Sequence, residues 1–217
     1  MNQRHLFFDL DGTLIDPKIG ITTCLQYALK KLDVPVPDAD ELLWCIGPPL
    51  SRSLAELLQT TDERLVDAGV QFYRERFRTV GKFEATLYQA IPATLCRLKS
   101  EGFQLYIATS KPRLFAEDIL RHFDVAEYFT NVYGSELDGR LNEKADLLAH
   151  ALNAEQFAPD ACWMIGDRKH DVIGANANNM DCIGVLYGYG SREELVNAGA
   201  RHLAATPDEL CEIVYSS

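Results

Sequence analysis

No stretch of the 217 residues is apolar for long enough to cross a bilayer. The longest run without Asp, Glu, Lys or Arg is Ala85–Cys96, 12 residues that include Pro92, whereas a spanning helix needs about 20. The start, Met1-Asn2-Gln3-Arg4-His5-Leu6-Phe7-Phe8, meets Asp9 before the apolar centre of a leader develops, so no signal peptide is expected. Positive charge is scarce. Lys and Arg number 21 against 32 Asp and Glu, a formal net charge of −11. A nucleic-acid polymer or an anionic membrane surface requires a basic patch, and this balance argues against both as partners. The six cysteines (Cys24, Cys45, Cys96, Cys162, Cys182, Cys211) form no Cys-x-x-Cys pair and stand among apolar neighbours. Buried, reduced thiols in a cytoplasmic protein are expected, rather than disulfides or zinc ligands. Internal repeats, low-complexity tracts and the G-x-x-x-x-G-K-[ST] loop are absent. Gly188-Tyr189-Gly190 opens a G-x-G, but Glu193 stands where the third glycine of a dinucleotide fingerprint belongs.

What is present is a globular composition, 47% hydrophobic and 24% charged, in a length suited to one large domain or one domain with a sizeable insertion. Gln3–Phe8 is a short apolar run closed by Asp9 and predicts a buried strand. From Pro17 to Ala85 the apolar residues recur at helical spacing, as at Ile21, Leu25, Ala28, Leu29 and Leu32, and predict a helical insert of about four helices. From Ile91 onward strands and helices alternate. Strands are expected at Gln104–Thr109, Tyr128–Tyr133, Cys162–Ile165, Cys182–Val185 and His202–Ala204. Helices are expected at Pro92–Ser100, Pro112–His122, Glu143–Leu152 (capped by Asn142) and Lys169–Asn178. Two more open on capping boxes, Ser191 with Glu194 and Thr206 with Glu209. Strands separated by helices of this length make βαβ units. The expected fold is α/β, a doubly wound, mostly parallel sheet over residues 1–16 and 86–217, with a helical domain, 17–85, inserted after the first strand.

In such a sheet ligands bind off the carboxyl ends of the strands. There the sequence places Asp9-Leu10-Asp11-Gly12-Thr13, Thr109-Ser110-Lys111, Lys144, and Gly166-Asp167 with Asp171. Two aspartates two apart point the same way along an extended chain. Clustered carboxylates repel unless a hard cation such as Mg2+ joins them, and Mg2+ leaves coordination room for a phosphate oxygen. A hydroxyl and an ammonium opposite it can hold the other phosphate oxygens. One aspartate can then attack phosphorus while the second protonates the leaving alcohol. Taken singly, the parts have plainer readings. Asp-Gly-Thr can be a tight turn, Thr109 a satisfied strand-end hydroxyl, Lys144 a solvated lysine, and Asp171 a favourable charge at a helix N-terminus. His170 is expected to be exposed.

The string Asp9-Leu10-Asp11-Gly12-Thr13-Leu14 resembles the first motif of the haloacid dehalogenase superfamily. Thr109 resembles its second, Lys144 its third, and Gly166-Asp167-x-x-x-Asp171 its fourth. The order is the family's, and the helical insert stands where its first type of cap is found. The resemblance implies that Asp9 is the nucleophile and Asp11 the general acid, then base. It implies that Asp9, the main-chain carbonyl of Asp11, and Asp167 hold Mg2+, and that Thr109, Ser110 and Lys144 bind the phosphoryl group. Asp171, Gly166 and Thr13 would stand behind them. The implied partner is a small phosphomonoester and the implied assembly a monomer or homodimer. Thr109-Ser110-Lys111-Pro112 is closest to the phosphoglycolate phosphatase group, with 5'-nucleotidases acting on nucleoside monophosphates as rivals and a sugar-phosphate mutase as a further alternative. The presence of Asp11 speaks against a dehalogenase. A receiver-like or idle phosphate-binding module is the non-enzymatic alternative. Within the insert, Gly47-Pro48-Pro49 stiffens a loop ahead of Arg52. That residue reads either as a contact to the leaving group or as a solvated arginine, with Lys82 a second candidate.

Overall fold

The computed structural model describes His5–Ser216. Gln3 and Arg4, expected to open the first strand, lie outside the described residues, as do Met1 and Asn2. The chain forms two compact units, Met1–Asp16 with Leu87–Ser217, and Pro17–Thr86.

The first unit begins with β1, His5–Phe8, whose four residues are all buried. In the second unit, α1 (Lys18–Lys31), α2 (Leu50–Leu57) and α3 (Glu63–Phe77) pack through Leu25, Ala28, Leu29, Leu54, Val66, Val70 and Phe77. Gly69 lets α3 approach Leu54 of α2, because a Cβ there would stand 3.3 Å from a Leu54 methyl. Asp62 caps α3, its carboxylate accepting from the Arg64 N–H.

The first unit resumes with α4 (Ile91–Ser100), β2 (Gln104–Pro112), α5 (Arg113–His122), β3 (Phe129–Ser135), α6 (Lys144–Glu155), β4 (Cys162–Gly166), α7 (Lys169–Ala177), β5 (Asp181–Val185), α8 (Arg192–Asn197), β6 (His202–Ala204) and α9 (Pro207–Ser216). The six strands make one parallel sheet in the order β3-β2-β1-β4-β5-β6. Phe7 joins Tyr106, Met164, Leu147, Leu148 and Val172 in the core that α6 and α7 close, while Leu6 and Phe8 are also buried. Covering both faces is why β1 is buried at every position and runs Leu6-Phe7-Phe8 after His5 instead of alternating apolar with polar. The connection after β1 is the insert, and the strand order reverses at β1. Its carboxyl end therefore lies at the switch point, beside those of β2 and β4.

Four expectations need correction. Helix α6 starts at Lys144, with Glu143 in extended conformation as its N-cap, so Asn142 is one residue too early to cap it. Ser191 does accept from the Glu194 N–H, but the Glu194 carboxylate accepts from Arg168 Nε and Lys169 N–H instead of closing a capping box. Cys96 is exposed on α4 while the other five cysteines are buried. His170, expected to be exposed, is half-buried. Among the described residues no helix is long and apolar enough to cross a membrane.

Candidate active site

The loop after β1 is built to hold two aspartates off the sheet. The Asp9 N–H donates to the Ile165 carbonyl at 2.9 Å, so the pairing with β4 continues one residue past the strand. The Leu10 carbonyl then accepts from the N–H groups of Thr13, Leu14 and Ile15. Gly12 makes this tight turn at φ 82°, and a Cβ there would lie 2.2 Å from Asp167 Oδ2. Only glycine meets both demands. Asp9 and Asp11 are thereby buried at the end of the central strand.

Lys144, at the first position of α6, reaches 3.0 Å to Asp9 Oδ1, 2.8 Å to Asp171 Oδ1 and 2.7 Å to the Ala108 carbonyl. Its ammonium is buried. Desolvation favours the neutral amine, but the Asp171 and Asp9 charges outweigh it and hold the pKa above the usual lysine value. Asp171 also accepts from the Arg168 N–H. Burial outweighs Lys144 here and pushes Asp171 up to about 6. Asp167 accepts from the Tyr189 N–H at 2.7 Å on Oδ2, whereas its Oδ1 is buried with no hydrogen-bond partner. Burial, then the Asp171 and Asp9 charges, raise Asp167 well above the ordinary carboxylate range.

Carboxylate oxygens of Asp9, Asp167 and Asp171 lie within 4.8 Å of one another. With Asp11 they make four carboxylates against two ammonium groups, Lys144 and Lys111. Full ionisation leaves two negative charges uncompensated in a buried site. A hard divalent cation, taking oxygen ligands, meets both that excess and the orphaned Asp167 oxygen. The residues thus fit Mg2+. The Asp11 carboxylate is outside this cluster. Lys111 Nζ bridges both of its oxygens at 2.8 Å. Burial raises the Asp11 pKa, with Lys111 opposing.

The other expected residues fall as follows. Thr109 is buried at the end of β2, and its Oγ1 accepts from the Lys111 N–H at 3.3 Å. Ser110 is half-buried, its carbonyl accepting from Ser135 Oγ. Thr13 is fully buried, its carbonyl accepting from the Tyr187 hydroxyl, and Gly166 ends β4. Asp9, Asp11, Asp167, Asp171, Thr109 and Lys144 therefore share one sheet edge. Arg52 and Lys82 belong to the other unit. Arg52 is exposed in the first turn of α2, beside a shallow depression lined by Ser51, Thr60 and Thr61, and Lys82 lies over the Phe83 ring.

Two contributors carried little sequence signal. Lys111 stood in the string after the second strand but received no role. Gly188-Tyr189-Gly190, rejected as a nucleotide loop, covers Asp167. The Tyr189 N–H holds its carboxylate, the Tyr189 hydroxyl donates to Asp16, and a Cβ on Gly188 would overlap the Gly12 carbonyl at 2.3 Å and Asp167 at 2.4 Å. Two glycines flanking an aromatic after β5 were the available signal.

Residues 6–185 match the family model of the haloacid dehalogenase-like hydrolases. A 5'-nucleotidase of Pseudomonas aeruginosa is 43% identical over 98% of this chain and 96% of its own. The tyrosine-protein kinase PtkA of Mycobacterium tuberculosis is 36% identical, over 95% of this chain and 71% of its own. A phosphoglycolate phosphatase of Colwellia psychrerythraea is 29% identical over 94% of each. Among solved structures, a predicted phosphatase from Clostridium acetobutylicum superposes with a TM-score of 0.96 at 43% identity, covering 99% of both chains.

Proposed function

The chain belongs to the haloacid dehalogenase-like hydrolase family, and from that premise we propose that it hydrolyses small phosphomonoesters with Mg2+, through an aspartyl-phosphate on Asp9. The observation that carries this reading is the buried cluster itself. The Lys144 ammonium contacts both Asp9 and Asp171, and Asp167, whose carboxylate lies within 4.8 Å of both, offers an unpaired oxygen. Asp9, Asp167 and the main-chain carbonyl of Asp11 would hold Mg2+, which when bound neutralises the incoming phosphate and polarises it for attack.

This chain's own residues do the rest. An Asp9 oxygen attacks phosphorus. The bond from phosphorus to the ester oxygen breaks, and that oxygen takes the proton of the Asp11 carboxyl and leaves as the alcohol. Water then attacks the aspartyl-phosphate, giving its proton to the Asp11 carboxylate, and inorganic phosphate and the Asp9 carboxylate are released. Lys144 and Thr109 hold the phosphoryl oxygens.

For the leaving group, the 43% likeness to a 5'-nucleotidase along nearly the whole chain favours nucleoside 5'-monophosphates. Phosphoglycolate is the second reading, on the 29% relative. A panel of phosphoesters assayed with Mg2+ separates them, and phosphate release to water separates a hydrolase from a transferase. EDTA should abolish turnover of 4-nitrophenyl phosphate and Mg2+ should restore it, with Ca2+ a poor substitute because its looser coordination places phosphorus less well. Full activity after exhaustive EDTA dialysis refutes the metal assignment. Asp9→Asn should lower turnover by several orders of magnitude. Asp11→Asn should slow first-turnover release of an alkyl alcohol by ~10²–10⁴-fold and of 4-nitrophenolate far less, because that leaving group needs no proton, while steady-state turnover of both falls, because Asp11 also takes the proton of the attacking water.

A further inference from the structure

We infer that Lys111 is a positioning residue for proton transfer to the leaving alcohol, holding the Asp11 carboxylate in its working orientation through a dedicated bulge at the end of β2. The inference rests on the reading of Asp11 as the general acid. After an earlier shift between Leu105 and Tyr106, strand β2 pairs in step with β3 from Tyr106 opposite Asn131 to Thr109 opposite Gly134, but the next pair is Pro112 opposite Ser135. One step on β3 thus faces three on β2, and Ser110 and Lys111 are the extra residues. A bulge of this kind re-aims a side chain that regular pleating would direct elsewhere.

Several independent contacts pin it. Ser135 Oγ donates to the Ser110 carbonyl at 2.8 Å, and the Lys111 N–H donates to Thr109 Oγ1. Pro112 restricts Lys111 to extended backbone. Gly134 admits the close approach, since a Cβ there would lie 2.8 Å from the Lys111 carbonyl and 2.7 Å from the Arg113 backbone. The product is an ammonium 2.8 Å from both Asp11 oxygens, with the two side chains 7% and 11% exposed. A buried ion pair of this kind is a weak source of stability, because two desolvated charges offset much of their attraction. Four local devices devoted to making it point to the orientation of Asp11 as the purpose. Lys144 is the ammonium at 3.0 Å from the nucleophile, and the Lys111 pairing described is with Asp11.

The test is a double-mutant cycle on the full chain with Mg2+, using Lys111→Met, Asp11→Asn and the pair. Each protein is assayed on adenosine 5'-monophosphate and on 4-nitrophenyl phosphate. If Lys111 acts through Asp11, Lys111→Met slows first-turnover release of the leaving alcohol from the alkyl ester by on the order of 100-fold, spares that release from the aryl ester, and leaves substrate affinity unchanged. In the Asp11→Asn background the same substitution then costs nothing further. The double variant keeps the test valid if Lys111→Met alone folds poorly, because it removes both charges together. Losses that multiply in the double variant, or a weakened affinity for both esters, overturn the inference. They would make Lys111 a ligand of the phosphoryl group or a purely structural cation. Asp11→Asn failing to discriminate the two esters is a separate outcome, which takes down the general-acid reading and this inference with it.

Discussion

Asp167 is held through one carboxylate oxygen and leaves the other without a partner, and that asymmetry has a pH signature. Its pKa is raised well above 3.8, and that of Asp171 to about 6, first of all by burial. A carboxylate raised in the folded state binds its proton more tightly folded than unfolded. Its contribution to stability is therefore full below the unfolded value and is lost as pH rises through the folded one. For Asp171 that window runs from 3.8 to about 6. Metal-free protein should weaken across it, and Mg2+, which takes the ionised form, should restore what is lost. The gain in Tm on adding Mg2+ is thus expected to be larger at about pH 7.5 than at about pH 5. Equal gains at both pH values would remove these carboxylates from the metal site. Gly188 offers a second check at the same place. Gly188→Ala pushes a methyl into Asp167 and the Gly12 carbonyl. Mg2+ affinity measured by calorimetry should fall by ~10–100-fold, the scale of disturbing what orients a metal ligand, and an unchanged affinity would show that the loop does not position Asp167.

Among the elements, α3 carries a clamp that spacing alone did not reveal. Arg76 in its last turn donates to both oxygens of Glu84, at 2.5 and 2.9 Å, and Nη1 also faces Cys24 of α1. The pairing with Arg76 lowers the Glu84 pKa below 4.5. Its stabilisation is therefore present above that value and lost as pH falls through the folded one. With both side chains between a fifth and a third exposed, Glu84→Gln should cost ~0.5–1 kcal/mol at neutral pH. The difference from wild type should close in acid, as read by urea unfolding at the two pH values; a difference independent of pH would refute the ionic origin. Element types were legible where periodicity was strong, as in α1 with its Ile21, Leu25, Ala28, Leu29 face and in the doubly covered β1. The end of β2 was not. The expected strand ends at Thr109, with Pro112 opening the next helix, yet the strand continues to Pro112 across the bulge. Bulges depend on the facing strand, here Gly134 and Ser135, and leave no mark in the local spacing. The start of α6 was misplaced by one residue for a related reason: Asn142 is the favoured cap type, but tertiary placement of Lys144 puts Glu143 at the cap, without a side-chain hydrogen bond.

For the molecule as a whole, the strand order 3-2-1-4-5-6 brings the ends of β1, β2 and β4 together at the switch point. That is why four short motifs at strand ends were sufficient to assemble Asp9, Asp11, Thr109, Lys144 and Asp167. The pairings between them were not legible. Lys111 meets Asp11 across 100 positions and Tyr189 meets Asp167 across 22, and no spacing rule links side chains that only the sheet brings together. All the groups assigned to phosphoryl chemistry lie in one unit, and Arg52 lies in the other. We propose that this division separates chemistry from substrate choice. A cation of the inserted unit that contributes to function should act on the leaving group alone, and Arg52, exposed behind the Gly47-Pro48-Pro49 turn with five donors, is the residue suited to it. One charge-assisted hydrogen bond contributes ~1.5–3 kcal/mol, about tenfold to a hundredfold in kcat/KM. Arg52→Ala should therefore lower kcat/KM by that factor on the best natural phosphoester and barely on 4-nitrophenyl phosphate, whose leaving group offers it little to hold. Mg2+ affinity should be untouched, because no ligand of the ion lies in that unit. Equal losses on both substrates, or none on either, would assign Arg52 to the solvated surface and move the search for specificity to Lys82.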